Sequence, residues 1–81
     1  MTYRYRPDVL EQLARHGLQP KPTTPPERVR ELLNDLYRYE LQRLRDRLLR
    51  REFPRSSYYD RVVDVRNRYR LLALRPSQLL E

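Results

Sequence analysis

Arginine and tyrosine lie next to each other at four places along the chain, and no other pattern in the sequence is better suited to binding a ligand. An arginine guanidinium holds a phosphate or a carboxylate through two parallel hydrogen bonds. A tyrosine ring offers a face on which an unpaired base can stack. This combination is typical of contact with RNA or DNA. The four segments are Tyr3–Arg6, Tyr37–Tyr39, Tyr58–Arg61 and Arg66–Arg70.

Three further arginines recur at helical spacing, which would place them on one face of a central helix. Together with two arginines near the N-terminus, they could follow a phosphate backbone or dock on an acidic protein. The arginines predicted to make this contact are Arg4, Arg6, Arg43, Arg47 and Arg50.

The distribution of charge favours a different interpretation, in which the arginines belong to a solvated surface held by salt bridges. The net charge of +7 is divided almost evenly, with +2 in residues 1–24, +2 in residues 25–53 and +3 in residues 54–81. A dedicated nucleic-acid-binding protein more often concentrates its charge on one face or arm. Lys21 is the only lysine among 18 basic residues, a bias that a GC-rich genome, for instance that of a thermophile, would also produce.

Two other side chains could take part in chemistry, and a structural role explains each of them. His16, the only histidine, lies where a helix is expected to end. A cationic imidazole at that position would interact favourably with the negative end of the helix dipole. Glu40 falls within an apolar stripe, where a carboxylate can acquire a raised pKa, but a bond to an arginine or a tyrosine hydroxyl would also account for it. With no Cys and one Gly, the chain has no thiolate ligands and no Gly-rich phosphate loop. We therefore expect no enzyme activity, no cofactor and no metal site.

Length and composition indicate one small domain covering residues 1–81. A chain of 81 residues is too short for two sizeable cores. No apolar run approaches the roughly 18 residues that a membrane-spanning helix needs. The first residues also lack the apolar stretch of a signal peptide. We therefore expect a cytoplasmic protein that makes no membrane contact.

The first helix is predicted over residues 7–16. Gly17, the only glycine, suits the left-handed residue that follows a helix end. Leu18 and Leu13 would then be the two residues that touch in a Schellman cap. Residues 18–24 contain two prolines and are predicted to form an extended connector.

The second helix is predicted over residues 25–53, because no Gly or Pro interrupts the sequence until Pro54. Thr24 would cap the helix, Pro25 would open it and Glu27 would complete a capping box. Apolar residues follow one another at steps of three or four and form one stripe along this helix. The third helix is predicted over residues 57–72, with Ser57 and Asp60 as its capping signal. Residues 71–74 are expected to be extended or frayed, and residues 76–81 to form a final turn.

The resulting fold is all-α, with a long central helix, a shorter helix folded back as an antiparallel hairpin, and a short N-terminal helix. A hairpin of two helices leaves much of each apolar stripe uncovered, so self-association would complete the core. Asn34, at the edge of the stripe, could then fix the register of a dimer. The predicted oligomer interface consists of Leu33, Tyr37, Leu41, Leu44, Leu48, Tyr58, Val62, Val65 and Tyr69.

Two functions therefore remain in competition. The sequence favours a non-enzymatic protein–protein interaction or oligomerisation module, whose partner is a second copy or an acidic protein. The alternative is a small basic RNA- or DNA-binding protein that uses the surfaces rich in arginine and tyrosine. The first function would bury tyrosines at a protein interface, and the second would display them beside arginines.

Overall fold

The computed structural model describes residues 1–81 and confirms the all-α class. It contains three α-helices, α1 (Pro7–Arg15), α2 (Pro26–Leu49) and α3 (Tyr58–Arg68). Three short 3₁₀ helices lie at Arg55–Ser57, Arg70–Ala73 and Pro76–Leu79. There is no β-sheet, and the only strand-like pairing is an isolated antiparallel bridge between Tyr5 and Leu80. None of the helices combines the length and the apolar character that crossing a bilayer requires.

The chain is divided into two compact units. Unit 1 comprises residues 1–32 and 71–81, and unit 2 comprises residues 33–70. Each unit has its own set of buried apolar side chains. Those of unit 1 are Tyr5, Val9, Leu13, Val29, Leu71 and Leu79. Those of unit 2 are Leu33, Leu44, Phe53, Val65 and Tyr69.

The end of α1 is the Schellman cap that its only glycine predicts. Gly17 has a φ of 75°, in the left-handed region. Its N–H donates to the carbonyl of Ala14 at 3.0 Å, and the N–H of Leu18 donates to the carbonyl of Leu13 at 2.9 Å. These are the two hydrogen bonds of the motif. The helix ends at Arg15, one residue before the expected position, and His16 is the C-cap residue.

The prolines predicted an extended connector between α1 and α2, but this segment is not extended throughout. It contains a turn in which the N–H of Thr24 donates to the carbonyl of Lys21 at 2.9 Å. The hydroxyl of Thr24 accepts from the N–H of Lys21 at 3.0 Å. The predicted capping box does not form, because the hydroxyl of Thr24 is turned back to Lys21. The carbonyl of Pro25 accepts the first helical hydrogen bonds, so Pro25 is the cap and α2 begins at Pro26.

The predicted C-terminal end of α2, at residue 53, is wrong by four residues. The helix ends at Leu49 because Arg51 adopts a left-handed conformation with a φ of 60°. The N–H of Arg51 donates to the carbonyl of Leu48, and the N–H of Glu52 donates to the carbonyl of Arg47, both at 3.0 Å. This is a second Schellman cap, with an arginine where a glycine is usual. The turn brings Phe53 into the core, where only 7% of its surface is exposed.

The helix predicted over residues 57–72 is also shorter than expected. It begins at Tyr58, directly after a 3₁₀ turn, and that turn directs the hydroxyl of Ser57 back to the carbonyl of Pro54 at 2.9 Å. Ser57 therefore does not cap α3 with its side chain. The helix ends at Arg68, and residues 70–73 form a 3₁₀ helix rather than an extended or frayed segment. The final turn predicted at residue 76 is present as the 3₁₀ helix Pro76–Leu79.

In unit 1, the two ends of the chain are held together by backbone hydrogen bonds. The N–H of Arg6 donates to the carbonyl of Leu79 at 3.1 Å, and the N–H of Glu81 donates to the carbonyl of Arg4 at 2.8 Å. Arg30 adds a side-chain clamp, because its guanidinium donates to the carbonyl of Leu72 at 2.9 Å and to that of Leu74 at 3.3 Å. This clamp satisfies carbonyls that an irregular segment would otherwise leave to water.

Candidate functional site

Glu40 and Tyr69 form a polar cluster in unit 2. The carboxylate of Glu40 accepts a hydrogen bond from Arg68 at 2.8 Å. Tyr69 is 6% exposed, and its ring centroid lies 5.3 Å from that of Tyr37. Burial, followed by the hydrogen bond with Glu40 and the charge of that carboxylate, raises the pKa of Tyr69 above its ordinary range. Glu40 is thus bonded to an arginine and a tyrosine, the structural role that its position in the stripe suggested.

The two N-terminal arginines predicted to bind a partner already have carboxylate partners in unit 1. Arg4 lies 3.6 Å from Glu81. Arg6 forms a 2.7 Å ion pair with Asp8 and also donates to the carbonyl of Gln78 at 3.2 Å. These bonds hold the start of the chain to its own helix and to the final turn. Arg6 is therefore less available to a ligand, whereas the side chain of Arg4 stays 88% exposed.

The three arginines predicted on the central helix differ from one another in their surroundings. Arg47 and Arg50 share the carboxylate of Glu52, at 3.4 Å and 2.9 Å. Arg43 forms no ion pair, and its guanidinium carbon lies 5.9 Å from the centre of the Tyr39 ring. Two of the three therefore share one carboxylate, and the group keeps a net charge of +1. Their shared partner lies beyond the end of the helix, where helical spacing could not reveal it.

Phe53 lies between two arginines at the bend after α2. The guanidinium carbon of Arg61 is 4.2 Å from the ring centre, and that of Arg47 is 5.6 Å away. A cation over an aromatic face is attracted by the ring quadrupole. Arg61 also donates to the hydroxyl of Ser57 at 3.3 Å. These two arginines therefore stabilise the bend itself.

The residues predicted as an oligomer interface divide into two groups by burial. Four are buried within the chain and offer little surface to a second copy: Leu33, Leu44, Val65 and Tyr69. The other five are half-buried and keep part of their apolar surface exposed: Tyr37, Leu41, Leu48, Tyr58 and Val62. Leu49, at the end of α2, is 65% exposed. Asn34 is exposed.

The tyrosines likewise divide between buried and displayed positions. Tyr5 and Tyr69 are buried, and Tyr5 donates a hydrogen bond to the carbonyl of Thr24. Burial raises the pKa of Tyr5, and the nearby charge of Glu27 adds to that effect. Tyr39 and Tyr59 are 59% and 73% exposed. The protein displays both rings on unit 2, where a ligand could reach them.

Most of the net positive charge lies on unit 2. The even distribution of charge along the sequence does not reveal this difference between the units. Unit 2 holds 11 arginines and 6 carboxylates, a net charge of +5. Unit 1 holds 7 basic and 5 acidic side chains, a net charge of +2. The units divide the chain at residues 32 and 70, so the difference depends on the fold. A concentration of this kind is the electrostatic pattern of a surface that attracts polyanions.

Several arginines of unit 2 that helical spacing had not singled out are exposed and take part in none of the ion pairs of the structure. On α2 they are Arg38 and Arg45, seven residues apart, and on α3 the corresponding residue is Arg66. Residues seven apart lie almost above one another on a helix. The sequence signal that could have found them is this spacing within residues 33–49, where the same line along α2 carries no Asp or Glu.

The structure contains no group of three or more His, Cys, Asp or Glu side chains that could hold a metal ion. Comparison of the chain with protein-family models, with curated proteins and with solved structures found no match.

Proposed function

We propose that the protein is a non-enzymatic binding module that contacts RNA or DNA through unit 2. The observation that carries this proposal is the net charge of +5 on residues 33–70, together with exposed arginines that no carboxylate neutralises. Neutralisation of phosphates by such arginines releases the counterions condensed on a nucleic acid. Two exposed tyrosines on the same unit add surfaces for base stacking.

We also propose that α2 and α3 pack as an antiparallel hairpin within unit 2. Three contacts support this arrangement: Tyr37 with Tyr69, Glu40 with Arg68, and Phe53 with Arg61. As the residue number rises on the α2 side, it falls on the α3 side, which is the signature of antiparallel packing. The hairpin would give unit 2 a rigid pair of helices on which to display its arginines.

Binding to mixed-sequence single-stranded RNA and to duplex DNA, followed by fluorescence anisotropy at about 50 and 200 mM salt, tests the function. With three or four phosphate contacts on a single strand, the affinity should fall roughly 20- to 50-fold between the two salt concentrations. A fluorescent, uncharged dextran serves as the control polymer and should not bind. Absence of nucleic-acid binding at the lower salt would overturn the proposal.

Self-association is the second candidate function, and a separate observation favours it. The half-buried residues Leu41, Leu48 and Val62, with the exposed Leu49, leave an apolar band on unit 2 after its core has formed. A second copy could cover this band and form a symmetric dimer. Sedimentation equilibrium over a wide range of protein concentration would detect the dimer. A monomer mass that does not change with concentration would exclude it.

A further inference from the structure

The arginines of unit 2 fall on two sides of the proposed α2–α3 hairpin, and one side is marked by ion pairs. Glu40 on α2 meets Arg68 on α3 there at 2.8 Å. Near the bend, Arg47 and Arg61 both approach the ring of Phe53. Glu52, which binds Arg47, adds a second carboxylate. The positive charge on this side is partly neutralised.

Helical geometry places a different set of residues on the opposite side. Around α2, at 100° per residue, Tyr37 lies between Glu40, about 60° away in one direction, and Arg45, about 80° away in the other. Around α3, the buried Val65 lies between Arg68, about 60° away, and Arg66, about 100° away in the other direction. Since Glu40 meets Arg68 on one side of the contact, Arg45 and Arg66 fall on the other.

Within residues 33–70, this second side, which we call the open face, carries arginines without carboxylates. Arg38 lies one helical heptad before Arg45, and Tyr59 lies one heptad before Arg66, so each pair shares a direction. Within unit 2, the other residues of α2 that point this way are uncharged: Asn34, Leu41, Gln42 and Leu49. Glu31, one heptad before Arg38, belongs to unit 1 and pairs with Arg28 at 3.3 Å. Of the residues of α3 beside Tyr59 and Arg66, Val62 and Val63 are apolar.

We propose that the open face is a binding site for single-stranded nucleic acid, an assignment that rests on the proposed function of unit 2. Arg38, Arg45 and Arg66 would hold the phosphates of the strand, because their exposed guanidinium groups have no carboxylate to leave. The ring of Tyr59 is 73% exposed and is the stacking surface for a base. A single strand can place an unpaired base on that ring, whereas the bases of a duplex are already stacked on one another.

The ion-paired side is less suited to this task for a physical reason. A phosphate approaching Arg47 or Arg50 would meet the negative charge of Glu52, and it could use the Nε–H of either arginine only by displacing that carboxylate. Breaking such a bond offsets part of the gain from the new one. The open face requires no such exchange.

Two matched pairs of substitutions test the position of the site. Arg38→Gln with Arg45→Gln removes two charges from the open face. Arg43→Gln with Arg55→Gln removes two charges of unit 2 from outside the open face and keeps both bonds to Glu52. Anisotropy titrations with a fluorescent oligouridylate at about 50 mM salt should show a loss of about tenfold or more for the first variant, and a clearly smaller loss for the second. Far-UV circular dichroism would establish that both variants remain helical.

A second pair of substitutions tests the preference for a single strand. Tyr59→Leu removes the stacking ring and should weaken binding of the oligouridylate about fivefold or more. Tyr59→Phe keeps the ring and should retain most of the affinity. Binding of a duplex of the same length should change little in either variant.

The outcomes separate this assignment from the function on which it rests. If the unaltered protein binds neither the single strand nor the duplex, the proposed function fails and the assignment fails with it. If the protein binds but both double variants lose the same affinity, total charge explains binding and the open face is not the site. If the duplex binds as tightly as the single strand and Tyr59→Leu changes nothing, the single-strand assignment is wrong.

Discussion

The ends of α1 and α2 are built on the same backbone motif from different residues. Each ends in a Schellman cap with one left-handed residue, Gly17 at a φ of 75° and Arg51 at a φ of 60°. After α1 the flanking residues are Leu13 and Leu18, both apolar. After α2 they are Arg47 and Glu52, which form an ion pair at 3.4 Å.

At the end of α2, Arg51 occupies the left-handed position of the cap, where glycine is the usual residue. A left-handed conformation costs a residue with a Cβ about 1–2 kcal/mol, a cost that glycine avoids. The hydrogen bonds of the cap, the bonds from Arg47 and Arg50 to Glu52, and the burial of Phe53 oppose that cost at residue 51. The arginines around this bend therefore stabilise the fold, which distinguishes them from the arginines of the open face.

Gly17→Ala should give the largest effect, because it introduces the left-handed penalty where none exists now. An added Cβ would meet no atom within 4 Å, so the cost comes from the backbone conformation alone. We expect a loss of about 1–2 kcal/mol in the free energy of unfolding. Urea denaturation followed by circular dichroism measures it. Ala14→Gly, at an exposed position inside α1, is a reference for an ordinary glycine–alanine difference in the same helix.

Arg51→Gly should change the free energy of unfolding in the opposite direction, as a gain, and by a smaller amount. Relief of the left-handed conformation is partly offset by the greater freedom of glycine in the unfolded chain, so we expect a gain of about 0.5–1 kcal/mol. Arg51 forms no ion pair that the change would remove. Arg51→Ala is the matched control, since it removes the same charge and keeps a Cβ. Equal stability of the glycine and alanine variants would contradict the strain assigned to residue 51.

The first of these helix ends could be predicted from the sequence, and the second could not. Gly17 is the only glycine and is followed by Leu18 at the position that the motif requires, so the signal is local and complete. Nothing in the identity of Arg51 predicts a left-handed residue. Its conformation depends on Phe53, which is buried against side chains as distant in the sequence as Arg61.

Two other errors at element ends have different origins, one in a contact between distant residues and one in a local turn. Residues 70–73 form a 3₁₀ helix next to carbonyls held by Arg30, some forty residues earlier in the chain. Ser57 resembles a cap in sequence, but a preceding 3₁₀ turn directs its hydroxyl to Pro54. The apolar periodicity of α2 and α3, in contrast, is local and was sufficient to predict the helical class.

The candidate site was only partly predictable for a related reason. Spacing placed Arg43, Arg47 and Arg50 on one helix, but α2 ends at Leu49, so Arg50 lies just beyond it, and the pairing of Arg47 and Arg50 with Glu52 depends on where the helix ends. The concentration of charge on residues 33–70 also depends on the fold, because the unit boundary falls within α2. A count of charges along the chain therefore understates the contrast between the two units.

Glu52→Gln should cause the smallest change in the free energy of unfolding. The way this change depends on pH tests the role of Glu52. The hydrogen bond from Arg50, reinforced by the charges of Arg50 and Arg47, lowers the pKa of Glu52 below its ordinary value. A carboxyl group whose pKa is lowered by folding stabilises the fold fully above its ordinary pKa, and this contribution is lost as the pH falls through the lowered value. Because both arginines are exposed, solvent screening keeps the contribution small.

Unfolding of the unaltered protein and of Glu52→Gln should therefore differ at neutral pH and converge in acid. Glu11→Gln is the matched control at α1, where Glu11 and Arg15 form an ordinary pair within the helix at 3.1 Å. If Glu52 stabilises the α2 cap, Glu52→Gln should lower the free energy of unfolding more when residue 51 is arginine than when it is glycine. The reason is that glycine adopts the left-handed conformation without strain, so the cap then depends less on the ion pairs. A loss at Glu52 that is independent of both pH and residue 51 would show that the ion pairs lie beside the cap without stabilising it.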